Sequence, residues 1–277
     1  MTGRLVLVST PIGNLGDLTP RAVESLKACV LICCEDTRHS GKLLSHAGVS
    51  GVRLAVANEH TEDARVHEVL GLLAAGGDVG VVTDAGTPGI SDPGARLVRA
   101  AIDAGHAVTA VPGPAALVMA LVVSGLDSTR FVFEGFLPRS GRERSERLAA
   151  VSTERRTTVL YEAPHRVLRT IIDLAVSCGG DRRVALAREL TKLHEEVWRG
   201  TLTNAVAHLT DRAPRGEYVV VVEGAPTVAA ATDDAILHAL HMALAGGNDR
   251  RTAIATVMAG TGAAKRRVYD LALTIPR

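Results

Sequence analysis

The chain has no excess of charge of either sign: 31 basic residues stand against 30 acidic ones, a net charge of +1. No global basic field draws it to nucleic acid, so any such role rests on local patches. Long hydrophobic runs are missing too. A spanning helix needs about 18 or more consecutive apolar residues, and the nearest approach, Ala107–Leu126, is broken by Pro112, Gly113 and Pro114. The N-terminal run from Leu5 to Val8 is too short for the core of a signal peptide. A soluble, cytoplasmic protein with no membrane partner is therefore expected. Aromatic residues make up only 3% of the chain, which leaves few platforms on which a nucleobase can stack. The four cysteines, Cys29, Cys33, Cys34 and Cys178, form no C-x-x-C, and no histidine is spaced to complete a zinc site. Three of them lie in the apolar stretch CVLICC, where buried free thiols are the ordinary outcome and no metal is expected.

Common catalytic signatures are absent as well. The first loop carries Gly13 and Gly16 but no G-x-G-x-x-G for a dinucleotide. HSGKLL ends like a phosphate-binding loop, yet Asp36 stands where its first glycine belongs and Leu43 follows the lysine in place of Ser or Thr. No G-x-S-x-G of a serine hydrolase occurs. The 47% hydrophobic and 22% charged content excludes a disordered chain or a coiled coil.

What the chain does have is alternation. Its 277 residues suggest roughly two domains at about 150 residues each. Short apolar runs at 4–9, 30–34, 52–57, 79–83 and 107–111 read as strands. Helical patterns separate them: one opened by Thr19-Pro20, then 37–48, His60–Ala75, and the segment GARLVRAAIDAG. Such repeats imply a largely parallel open sheet covered on both faces. Ligands of such sheets sit beyond the carboxyl ends of the strands, and the three glycine-rich loops TPIGNLGD, DAGTPGISDPG and PGPAAL all follow strand ends. In the DAGTPGISDPG loop Asp84 is placed to pair with a cation or take ribose hydroxyls, while Asp92, before Pro93 and a helix, suits a helix cap better. The later strands, 131–138, 157–163, 183–190, 195–202 and 217–224, have fewer helices between them, which predicts antiparallel pairing. An arginine-rich segment lies among them, and residues 225–234 read as a linker. Two or three short helices then end the chain, with a helix–turn–helix pattern among the options and a packing appendage as the alternative. The expected division is 1–112, 113–226 and 227–277.

The ordered segments TPIGNLGDLTPRA, EDTRHSGKLL, TDAGTPGISDPGARLV, VPGPAAL, FEGFLPR, YEAPHR, ARELTKLHEE and GEYVVVVEG resemble the ribosomal RNA small subunit methyltransferase I family. That family is of the tetrapyrrole-methylase type. The resemblance implies two α/β domains with a cofactor cleft between them, S-adenosylmethionine as methyl donor, and 2′-O-methylation of a cytidine in the decoding region of small-subunit ribosomal RNA. It implies a homodimer working on ribosomal RNA within the small ribosomal subunit. It also implies that Pro11, Ile12, Gly13, Asp84, Ala85, Gly86, Thr87 and Pro88 line the methionine and sulfonium end of the cofactor. Pro112, Ala115 and Ala116 form the neighbouring wall, and Tyr161, Glu162 and Ala187 flank the adenosine. The chain departs from the family pattern in Thr83, where serine is commoner, in Ala115, where serine or cysteine is usual, and in lacking a lysine after GFLPR.

A ribose hydroxyl is a poor nucleophile, so a general base or a polarising cation is expected. Asp36, Glu189, Glu162 and His165 are candidate bases, with Asp36 and Glu189 foremost, and Arg38, Lys192, Arg166 and Arg188 are candidate anion holders. Each has the alternative of a plain ion pair, since EDTR and ARELTK set acids beside cations. RNA contacts are expected from Arg139, Arg142, Arg144 and Arg166 and from Arg266 and Arg267 in the tail, with arginine–phosphate pairs dominant and salt-sensitive. Two other readings stay open: a small-molecule methylase acting on a tetrapyrrole or corrinoid, and a non-catalytic RNA-binding factor on the same fold.

Overall fold

In the computed structural model, which describes residues 2–58, 61–226 and 231–275, the first half of the chain builds one all-parallel sheet. Its strands are β1 (Arg4–Val8), β2 (Leu31–Cys34), β3 (Arg53–Val56), β4 (Val79–Val81) and β5 (Ala107–Val111), in the order β3-β2-β4-β1-β5. The connecting helices are α1 (Pro20–Ala28), α2 (Thr37–His46), α3 (Glu62–Ala74) and α4 (Ala95–Asp103). The inner strands β1, β2 and β4 are apolar on both sides because both faces are covered, while the edge strands β3 and β5 are more exposed. Leu5, Leu31, Cys33, Val79 and Val81 pack against Val69 and Leu73 of α3 and Leu97 and Ala101 of α4. Their neighbours along the strands, Val6, Val8, Ile32 and Cys34, point the other way, onto Ala22 and Leu26 of α1 and Leu44 of α2. Helix starts follow the local chemistry. Thr19 caps α1 by accepting from the Ala22 N–H, with Pro20 at its first position, and Asp36 caps α2 by accepting from the Arg38 N–H.

The second half forms a mixed sheet. It comprises α5 (Ala116–Ser124), β6 (Phe131–Phe136), α6 (Gly141–Thr153), β7 (Thr157–Glu162), α7 (Pro164–Cys178), β8 (Arg183–Arg188), β9 (Glu196–Thr201), α8 (Leu202–Asp211) and β10 (Tyr218–Val222). The strand order is β6-β7-β10-β8-β9; β6 and β7 run parallel and the other pairs antiparallel, as the sparse helices predict. One face packs Leu160, Leu186, Val220 and Val222 against α6, α7 and α8. The opposite face packs Val159, Ala185, Val219 and Val221 against Leu117, Ala120 and Leu121 of α5. Helices α5, α6 and α8 are unannounced in the sequence, α6 forming within the arginine-rich segment. α5 is apolar almost throughout, so it has no helical stripe, and α8 begins at Leu202, directly where the expected strand ends.

Met1–Ala225 pack as one unit and Pro226–Arg277 as another. The second unit is a three-helix cluster, α9 (Asp233–Ala245), α10 (Arg250–Thr261) and α11 (Lys265–Leu273), around Ile236, Leu240, Ile254, Val257 and Val268. Residues 227–230 of the expected linker, and His60 at the expected start of α3, lie outside the described residues. Among the described residues, no helix is long and apolar enough to cross a membrane.

Candidate active site

Because β1 lies between β4 and β5, the loops leaving these three strands emerge side by side. They are stapled together by their own backbones and hydroxyls. Thr10 and Gly86 exchange N–H···O bonds of 2.8 and 3.1 Å, and the Thr10 hydroxyl donates to the Thr83 carbonyl at 3.0 Å. Ser9 and Thr87 hydroxyls meet at 3.1 Å, and Thr87 donates onward to the Pro114 carbonyl at 3.2 Å. Gly113 allows this approach, since a Cβ there would stand 2.8 Å from the Ser9 Cβ.

The cavity beyond these loops holds about 430 Å³, within the range of small-molecule sites. The first half lines it with Ile12, Asp84, Ala85, Gly86, Thr87, Ile90, Ser91, Asp92, Ala115 and Ala116. The second half supplies Phe136, Tyr161, Glu162, Ala163, Pro164, Ala187, Glu189, Leu190, Lys192 and the run Glu217–Val219. Most of the cofactor set named from the sequence is therefore gathered in one place. Pro11, Gly13, Pro88 and Pro112 are not on the wall: Pro11 and Pro88 are buried in the supporting turns, and Gly13 and Pro112 are exposed beside it. Sequence reasoning missed Ile90, Ser91, Glu217 and, as a lining group, Asp92.

The polar groups on the wall divide into satisfied and unsatisfied ones. Lys192 donates to Glu189 at 2.8 Å and to Glu217 at 2.7 Å. Burial alone would raise the Glu189 carboxyl and lower Lys192; the ion pair reverses both, holding Glu189 below and Lys192 above their usual ranges. Glu162 is buried and accepts from Thr170 at 2.6 Å and from the Ala163 N–H at 3.0 Å, with Arg166 at 3.1 Å. The Tyr161 hydroxyl accepts from the Leu117 N–H, and its ring meets Phe133 and Phe136 edge-on at 4.9 and 5.7 Å. Asp84 differs: its Oδ1 is buried without a hydrogen-bond partner, and burial, then the nearby Glu35, raise its carboxyl. Asp92 is pushed up to about 6 by burial first and Glu35 second.

Other expected residues fall elsewhere. Asp36 and Arg38 are absent from the cavity wall. They pair with each other at 3.0 Å, and the Arg38 hydrogen bond holds the Asp36 carboxyl down at about 2, so this carboxylate is a weak proton acceptor. Arg144 is buried, contrary to its expected exposure to RNA. Its guanidinium binds Asp173 at 2.7 Å, Thr170 at 3.1 Å and the Pro138 carbonyl at 2.9 Å, because α6 turns this arginine inward onto α7. Arg166 is taken up by Glu162 and the Leu137 carbonyl, and Arg188 by Glu196 and the Arg215 carbonyl. Arg139 and Arg142 are exposed; so is Arg266, while Arg267 pairs with Asp233 at 2.7 Å. All four cysteines are free; Cys29, Cys33 and Cys34 are buried, and burial drives the Cys33 thiol up to about 12, so it is inert at neutral pH. No cluster among the described residues is fit to hold a metal ion.

Residues 4–206 match the family of Tetrapyrrole (Corrin/Porphyrin) Methylases. The chain is 45% identical to the ribosomal RNA small subunit methyltransferase I of Synechocystis over 99% of its own length and 98% of that protein's. The enzyme of the same name from Thermotoga maritima is 44% identical over 80% of this chain and 99% of its own. The chain belongs to the ribosomal RNA small subunit methyltransferase I family. Solved structures show the same fold at lower identity. The methyltransferase CobJ superposes with a TM-score of 0.60 at 19% identity, over 81% of this chain and 95% of that one. The uroporphyrin-III-C-methyltransferase from Thermus thermophilus gives 0.54 at 21%, over 81% and 94%.

The methyl donor of this family is S-adenosylmethionine. The site fits it. The wall is mainly apolar, as an adenine ring requires, and the one orphaned carboxylate oxygen on it, Asp84 Oδ1, suits a ligand that carries a sulfonium and an ammonium.

Proposed function

We propose that this chain transfers a methyl group from S-adenosylmethionine to the ribose 2′-hydroxyl of a cytidine in the decoding region of small-subunit ribosomal RNA, acting on the small ribosomal subunit in the cytoplasm. The observation that carries this reading is the near full-length identity to relatives of that name, with the matching loop segments converging on a single cleft. Bound donor supplies an already activated methyl group, so the protein's task is chiefly positioning. Ile12 and the run Asp84–Thr87 hold the sulfonium end, and Ala115, Ala116, Tyr161 and Ala187 flank the adenosine. Asp84 neutralises a charge that disappears as the methyl group leaves, so its role is binding rather than acceleration. Lys192, Glu189 and Glu217 form a fixed ionic clasp at the cleft edge. Arg139 and Arg142, just after strand β6, and Arg266 on α11 meet phosphates, a role their exposure supports.

The working form is a homodimer. Helix α5 is apolar all round, yet Val118, Met119, Val122 and Val123 stay exposed on it, with Val122 at 66%. A helix of this composition belongs in an interior, and a second copy of the chain supplies the missing cover.

The test is to incubate the protein with S-adenosylmethionine labelled in its methyl group and small subunits from cells lacking the enzyme, then identify the labelled nucleoside by mass. A 2′-O-methylated cytidine supports the whole reading. Cofactor binding with no label in RNA turns the search to macrocyclic acceptors.

A further inference from the structure

The sequence suits Asp92 to capping helix α4, but that position is already taken. The Gly94, Arg96 and Leu97 N–H groups at the start of α4 all donate to Glu62 Oε1, at 3.1, 2.9 and 2.9 Å. Asp92 is left without a structural duty of that kind and lines the cleft instead. Its approach is strained: Ser91 holds a φ of +60°, which a side-chain-bearing residue adopts only when its surroundings impose it. Across the cleft lies Gly135, at the bulge of β6, where a Cβ would stand 3.2 Å from the Ser91 hydroxyl. The loop after β4 thus comes close to the second half of the cleft at the residue before Asp92.

Behind Asp92 stands a second carboxylate that does not line the cavity. Glu35, at the end of β2, accepts from the Thr83 hydroxyl and from the Asp84 N–H at 3.2 Å. Glu35 and Thr83 both interact with the Asp92 carboxyl. The other ionisable groups around Asp92 are Asp84 on its own loop and the Tyr161 phenol from β7, with Asp36 and His39 beyond Asp84. Among the described residues no cation pairs with the Asp92 carboxylate, whereas Glu189 is held by Lys192 and Asp36 by Arg38. Ile90 and Phe136, two exposed apolar side chains on the same wall, offer a nucleobase its contact surface.

We propose that Asp92 is the general base of the methyl transfer, with Glu35 as the positioning residue that keeps it proton-accepting. The assignment rests on the methyl-transfer reading above. In the step, the Asp92 carboxylate takes the ribose hydroxyl proton while the hydroxyl oxygen bonds to the donor's methyl carbon. The sulfur–carbon bond breaks with its electron pair left on sulfur, giving a neutral thioether. The proton on Asp92 then passes to solvent, and no further reactant is needed. A carboxyl that titrates near 6 is matched to this work at neutral pH, being ionised yet still basic.

Asp92→Asn and Glu35→Gln test the assignment with readouts in both the apo and the loaded protein. By side-chain carboxyl NMR of the apo protein, Asp92 titrates near 6 in the wild type and at lower pH in Glu35→Gln, since the neighbouring negative charge is gone. Asp92→Asn binds S-adenosylmethionine with unchanged affinity and loses roughly 10²–10⁴-fold in turnover. In Glu35→Gln the acid limb of the kcat profile moves to lower pH with the NMR midpoint. Turnover of Asp92→Asn within threefold of wild type overturns the assignment, and so does an acid limb that stays put while the NMR midpoint moves. Wild-type protein that binds the cofactor but methylates no RNA would instead remove the underlying reading, and the assignment with it.

Discussion

Gly13 is exposed and its side of the loop faces the Lys192 stem, where a Cβ would stand 2.2 Å from Cγ at a φ of +151°. Gly13→Ala must therefore displace Lys192 from its clasp with Glu189 and Glu217. We expect at least a tenfold loss in S-adenosylmethionine affinity by calorimetric titration, with the thermal melt nearly unchanged. Asp92 makes the opposite kind of prediction, about stability. Its folded-state carboxyl sits at about 6 against an ordinary 3.8, so the folded protein holds this proton more tightly than the unfolded chain does. The group therefore costs no stability below about 4, and the cost grows as pH rises through about 6. Asp92→Asn removes a half-buried charge, and at pH 7 should raise Tm by roughly 2–4 °C, the change that about 1 kcal/mol produces in a unit of this size. At pH 3.5 the two melts should coincide. A variant that gains stability while losing turnover is what an active-site carboxylate predicts.

Two elements illustrate how a side chain on one helix governs another. Helix α4 starts at Gly94, which has no side chain to cap it, and Glu62 at the first turn of α3 accepts its three free N–H groups. Glu62→Ala leaves those donors buried and unpaired, with an expected loss of about 2–3 kcal/mol in denaturant unfolding; Glu62→Gln, which keeps one acceptor, should lose less. Helix α6 carries arginines with opposite fates. Arg144 faces inward to Asp173 and Thr170, whereas Arg142 faces solvent with only Glu146 beside it. Arg144→Ala should destabilise by about 3 kcal/mol or more, because it strands a partly buried carboxylate. Arg139→Ala/Arg142→Ala should leave the melt alone and lower the slope of log RNA affinity against log salt by roughly 1.5, as two lost phosphate contacts require. Filter binding across a salt series separates the two cases.

On the scale of the whole molecule, the exposed apolar face of α5 is the feature a single copy leaves unresolved. Val122→Glu places a charge on that face without touching the buried side, Leu117, Ala120 and Leu121. Sedimentation should show a dimer for the wild type and a monomer for the variant, with the melt shifted by loss of the partner's cover.

The first sheet was legible along the chain because each strand is a short apolar run, and three of them, β1, β4 and β5, are closed by glycine-rich loops. The same regularity located the loops TPIGN, DAGTP and PGPAA at strand ends, and with them most of the cleft wall. Helices α5, α6 and α8 were not legible, since α5 lacks a polar face, α6 reads first as a run of charges and α8 follows β9 without a break. Local residue order thus determined the strands, the loops and the resemblance. Only the tertiary structure decided which charged groups are free to act. Lys192 meets Glu217 across 25 positions, Arg144 meets Asp173 across 29, and Glu62 takes the cap that Asp92 appeared suited to fill across 32. Proton affinity and availability depend on such distant partners and on burial, and neither is written in the spacing of neighbours along a chain.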